Sequence, residues 1–155
     1  MQETTSKGYL KESARHLQIA DHMTFITFPI VNEKRLMIKI FEEIYKSIKN
    51  SINSAVYNEF LFKKIILYDD PKKNINNFIE NIAKSYEITE KEINKIIEIL
   101  RIEQKHLESS MEFVKKEKLV MMSDKLDIQT MTIEEVKDYL TISKSIFLKI
   151  SKKIK

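Results

Sequence analysis

Residues 89–108 read TEKEINKIIEILRIEQKHLE. Thr89 followed by Glu92 is a capping box. The threonine hydroxyl can accept from the third backbone N–H, and the glutamate can reach back to the first. Behind it Ile93, Ile96, Ile97, Leu100 and Leu107 recur at helical spacing, so the stretch predicts an amphipathic helix to about residue 109 with that stripe inward. The same signature returns at Thr132-Ile133-Glu134-Glu135. It opens a last helix over 133–153, with Val136, Leu140, Ser143, Phe147, Ile150 and Ile154 inward. Upstream, Asp69-Asp70-Pro71 marks a turn and a helix start, and 71–86 carries Ile75, Phe78, Ile79, Ile82 and Tyr86. A stripe of Met37, Phe41, Ile44, Ile48, Ile52, Ala55, Glu59, Phe62 and Ile66 predicts a long second helix over 32–66. The first is predicted over 6–28, with Leu10, Ala14, Leu17, Asp21, Thr24, Phe25 and Phe28 on one face and Pro29 as its stop.

The composition agrees with this pattern. One glycine, two prolines and no cysteine occur in 155 residues. With Gly8 alone, glycine-rich phosphate loops and dinucleotide fingerprints are excluded. Without cysteine there are no disulfides or thiolate metal sites. The expectation is a single all-α domain over 1–155, an antiparallel bundle of about five helices, with an irregular segment near 110–131. Within that segment Lys118–Met122 (KLVMM) has strand character but shows no partner strand, so it is assigned as structured coil. No apolar run reaches the roughly 18–20 residues of a membrane span. The N-terminus has no apolar signal core, which predicts a cytoplasmic protein.

Chemistry must then come from side chains on helices. Asp21 and Glu59 fall within the apolar stripes of the first two helices, so both are expected to be buried. A buried carboxylate must be paired, hydrogen-bonded or protonated, for structural or for functional reasons. His22 sits opposite Asp21 beside Ile19, Met23 and Ile26. The second half of the first helix is therefore apolar nearly all round, and is either central in the bundle or covered by a second subunit. A homodimer is the expectation. His16, beside Glu12 on a polar flank, is expected to be solvated.

The net charge of +4 rests mostly on lysine. Lys144, Lys149, Lys152, Lys153 and Lys155 form a run without acids. It either complements the dipole of the last helix or meets RNA backbone or an anionic membrane; Lys149, Lys152 and Lys153 are the nucleic-acid candidates. Glu103-Gln104-Lys105-His106 has the Glu-x-x-His spacing of bundle metal sites, but it occurs once and no second histidine matches. No metal or cofactor is expected.

Arg101 and His106 form an Arg-x4-His motif late in the chain. In size, helix count and motif placement the chain resembles HEPN domains, small helical bundles that include metal-independent ribonucleases and non-catalytic partners of nucleotidyltransferases. The resemblance implies that Arg101 would stabilise phosphate charge and that His106 would transfer a proton at the ribose 2′-hydroxyl or the leaving oxygen. The position after the arginine is usually polar in that family and is Ile102 here. Residues five apart on a helix also point about 140° from each other. The run Asp21-His22-Met23, Thr27 and Pro29 is similar to a group of small archaeal helical proteins, from which no activity transfers. Two functions follow as expectations: a non-enzymatic bundle acting by association, as a homodimer or as a partner of another protein or RNA, and alternatively a HEPN-like ribonuclease.

Overall fold

The computed structural model describes residues 5–62 and 65–154. Lys63 and Lys64, within the expected second helix, and Lys155 of the basic run lie outside them. The elements run α1 (Ser6–His22), a π-helical turn (Met23–Thr27), α2 (Phe28–Val31), α3 (Leu36–Leu61), α4 (Pro71–Asn77), a second π turn (Phe78–Ile82) with a 3-10 turn (Ala83–Tyr86), α5 (Glu90–Glu108), β1 (Ser109–Lys115), β2 (Lys118–Ser123), β3 (Ile128–Met131) and α6 (Ile133–Lys153). Both capping boxes form, Thr89 with Glu92 and Thr132 with Glu135.

The class is mostly α, and this corrects the all-α expectation. Segment 110–131 is not coil: β1, β2 and β3 form an antiparallel sheet in that order. KLVMM is its central strand, with partners on both sides. Leu119, Val120 and Met121 of that strand, and Met131 of β3, are buried. The β1–β2 turn is Lys116-Glu117, both in the left-handed region (φ 49° and 66°). Such turns usually carry Asn-Gly or Asp-Gly, so the hairpin lacks its usual sequence mark.

Pro29 does not stop the first helix. The π turn comes first, with the Phe28 N–H bonded to the Met23 carbonyl, and it opens the helix where the proline ring would strike the preceding turn. The chain stays helical to Val31 and ends on Asn32 in the left-handed conformation. The second helix is shorter than expected. It ends at Leu61, and Phe62 and Ile66 are exposed.

The α1–α3 contact is built on serines. Ser13 Oγ lies 2.8 Å from the Ser47 carbonyl, 2.9 Å from Ser47 Oγ and 2.7 Å from Ser51 Oγ. Ser54 Oγ donates to the Ser6 carbonyl at 2.7 Å. These small side chains are buried with Leu17, Ala20 and Thr24, and the hydroxyls of Ser13, Ser47 and Ser51 satisfy one another. The register of these contacts makes α1 and α3 antiparallel. One core of isoleucines, Phe41, Phe78, Tyr86 and Tyr139 then joins α3, α5, α6 and the sheet. On α5 the buried face is Glu92, Ile96, Ile99 and Ile102. Ile97 and Leu107, expected inward, are exposed.

Candidate functional site

The serine face of α1 places Asp21 differently from the expectation. Hydrophobic periodicity counts Ser13 as polar, whereas the fold buries it and turns the inward face towards it. With Ser13, Leu17, Ala20 and Thr24 inward, Asp21 stands a step off the buried line and its side chain is 46% exposed. It is not a buried acid; it pairs with Lys144 of α6. Around this pair runs a groove of about 530 Å³ between α1 and α6, lined among others by Leu17, Phe25, Ile26, Phe147 and Leu148. Phe25, expected inward, is exposed, with Lys137 and Lys144 5.9 and 5.7 Å from its ring centre. His22 is exposed and also lines the groove.

Glu59 is buried as expected. Tyr86 Oη donates to its Oε2 at 3.4 Å and accepts from Asn58 Nδ2 at 3.0 Å. Burial, followed by the neighbouring Glu59 charge, overcomes the Asn58 hydrogen bond and pushes the Tyr86 phenol up to about 12. From the α1–α3 register, Asp21 is level with the start of α3 and Glu59 with its end, roughly 30 Å apart along the helix. The two acids do not meet.

His16 is buried, not solvated. Its Nδ1 is 2.5 Å from Glu43 Oε2, and its Nε2 is 3.3 Å from an Arg15 guanidinium nitrogen. One neutral tautomer satisfies both, donating to Glu43 and accepting from Arg15.

His106 is the contrasting case. Its Nδ1 lies 2.6 Å from Glu112 Oε2 on β1, and its Nε2 lies 3.2 Å from Glu42 Oε1 on α3. Both neighbours are acceptors, so both ring nitrogens must donate, which needs an imidazolium. Burial pulls the His106 pKa down, but the Glu112 hydrogen bond and the Glu112, Glu103 and Glu42 carboxylates outweigh it and raise it. Glu103 joins the cluster and its pKa is raised, by burial first and then by the Glu42 and Glu112 charges, against His106 and Lys46. Its Oε2 is buried without a hydrogen-bond partner. Glu-x-x-His thus does gather on one face, and its companions are Glu42 and Glu112. Neither carries a local signal in the sequence: Glu42 is 64 residues from His106, and Glu112 reaches it only through the fold of β1. Among the described residues no group of three or more acids and histidines is arranged to hold a metal ion.

Arg101 leaves α5 on another side. It is exposed while His106 is half-buried, so the motif does not converge within one subunit. The C-terminal lysines are largely engaged in the fold. Lys149 donates to Glu92 Oε1 at 2.5 Å, and Lys153 bonds the Ser85 carbonyl and lies 5.0 Å from the Tyr86 ring centre. Lys152 is exposed. Among the described residues no helix is long and apolar enough to cross a membrane. Compared with known proteins, the chain matches no family model, no curated protein and no solved structure.

Proposed function

We propose that the protein is a self-association module whose working surface is the apolar face of α1, its π turn, α2 and α6. The observation that carries this is the exposed row Phe25, Ile26, Ile30 and Val31, continued by Leu148; Ile30 is 78% exposed. Single exposed apolar side chains are ordinary, but a contiguous patch beside a groove marks an interface. A standard interface buries about 800 Å² per partner, with a core richer in apolar area than the rest of the surface. Five large side chains, each at least half exposed, supply the apolar centre of such an interface.

A second copy of the chain is the occupant that fits. The rim carries Asp21, Lys137 and Lys144, charges of both signs. A patch with both signs on its rim can be self-complementary across a two-fold axis, as an isologous interface requires. The test is the mass in solution of the wild type and of Ile30→Asp, by light scattering after gel filtration. The wild type is expected at twice the 18.4 kDa of one chain, and the variant at the monomer mass. A wild type that stays monomeric at high micromolar concentration overturns the proposal.

The HEPN-like alternative requires more of the molecule. His106 would have to leave both Glu42 and Glu112, and a second subunit would have to bring Arg101 to it. RNA cleavage without added metal, abolished in His106→Ala, is the result that would replace the association reading.

A further inference from the structure

At and beside the tip of the β1–β2 hairpin, exposed basic residues are grouped closely. Lys115 and Lys118 are the closing pair of the ladder, directly opposite each other, where like charges destabilise a hairpin. Between them Lys116 and Glu117 occupy a turn with both residues left-handed, a place that glycine, asparagine and aspartate fill more easily. The one acid of the tip is already neutralised: Glu117 is 2.9 Å from Lys34, at the corner between α2 and α3. That ion pair brings the exposed Arg35 into the same region. Lys115, Lys116 and Lys118 are also exposed, and among the described residues none of the four has an ion-pair partner.

Packing and turn preference do not account for three lysines here: Lys115 opposes Lys118, and Lys116 stands at a left-handed turn position. Conflicts of this kind concentrate where a protein meets something else. The groups on offer are point charges on flexible stems at an exposed turn, without an aromatic side chain among 115–118 on which a base could stack. That chemistry fits phosphate oxygens and does not read sequence. We propose that the hairpin tip, together with Arg35, binds the phosphodiester backbone of a nucleic acid without sequence preference. The proposal stands apart from the self-association reading and does not require it.

Fluorescence anisotropy with a labelled random-sequence single-stranded RNA and a labelled duplex DNA, each over a range of NaCl concentrations, tests this and tells the two sources of backbone apart. The wild type is expected to bind at least one of them with log affinity falling linearly in log salt. The triple variant Lys115→Gln, Lys116→Gln, Lys118→Gln is expected to lower the steepness of that line by about 3, about 1 per phosphate contact, and to bind at least about tenfold more weakly at low salt. Lys152→Gln removes an exposed lysine at the opposite end of the bundle and is expected to stay within about twofold of wild type. Fold is controlled by thermal melting, where relief of repulsion predicts a triple variant that melts no lower than wild type. The proposal is overturned by any of four results: no salt-dependent binding to either nucleic acid, an equal loss per charge in Lys152→Gln, binding to phosphatidylserine vesicles instead, or a triple variant that melts lower.

Discussion

Glu92 shows how much one side chain can hold together. Its Oε1 accepts from the Thr89 N–H at 2.9 Å and from Lys149 at 2.5 Å, and its Oε2 accepts from Ser145 Oγ at 2.6 Å. The capping glutamate of α5 is therefore also the tie between α5 and α6. Burial alone would raise its pKa, but the bonds from Lys149, Ser145 and Thr89 prevail and hold the carboxyl at about 2, against an ordinary 4.5. A depressed carboxylate stabilises the fold above its unfolded pKa and loses that contribution as pH falls through the folded one. The window here runs from about 4.5 down to about 2, and the shift corresponds to about 3 kcal/mol. Glu92→Gln is expected to lose stability of that order at pH 7 in urea titrations and to flatten the dependence between pH 5 and pH 2.5. A variant within about 0.5 kcal/mol of wild type would show that the three bonds are worth little net. Ser13 makes the complementary point about size. It sits where α1 and α3 approach closely, so Ser13→Leu should cost about 1–3 kcal/mol by overpacking and strand the hydroxyls of Ser47 and Ser51 as well. A urea midpoint equal to wild type would show that the helices are free to separate there.

Among the elements, β1 is tied to α3 and α5 through the His106 imidazole. Val114 packs against the core from β1, and Glu112 of the same strand is tied through His106 to Glu42 of α3. The pKa of His106 is raised in the fold, so its contribution is complete below the ordinary 6.5 and is lost as pH rises through the higher folded value. Above that point three carboxylates remain, with Lys46 as the nearby cation that opposes them. Nuclear magnetic resonance is expected to show His106 titrating above 6.5, and Glu112→Gln to bring it down. Protection of the β1 amides, corrected for intrinsic exchange, should fall over the same pH range in the wild type. A His106 pKa at or below 6.5 contradicts the bridge. These cases also show which parts of the molecule were legible in the sequence. The caps at Thr89 and Thr132 were, because a capping box is complete within four residues. The sheet was not, because strand partners are separated in sequence and Lys116-Glu117 carries no turn signature. Glu42 and Glu112 were invisible for the same reason: only the folded chain brings them to His106. Asp21 was misplaced because hydrophobic periodicity counts Ser13 as polar, whereas hydroxyls that satisfy one another pack inside a helix pair.

At the scale of the whole molecule, the described residues leave several large apolar side chains exposed, and one row of them follows a single edge, that of α1 and α6. That edge was visible in the sequence as a half-helix apolar nearly all round, and in the fold it is the exposed row from Phe25 to Val31 with Leu148 beside it. What the sequence could not supply was the neighbouring α6, which adds Lys144 and gives the patch charges of both signs. If a second copy covers it, folding and association are linked, and stability must depend on protein concentration by mass action. A tenfold rise in concentration contributes about 1.4 kcal/mol to the dimer, shared by two chains, and for a chain of this length that moves the melting temperature by about 2 °C. Wild-type protein is expected to show this slope over two decades of concentration in scanning calorimetry, and Ile30→Asp to show none. Because Ile30 is so exposed in the single subunit, the substitution removes little from the core, and the variant should melt where dilute wild type does. A slope unchanged in Ile30→Asp would move the interface elsewhere, and a flat line for both would leave this apolar edge without a second copy to cover it.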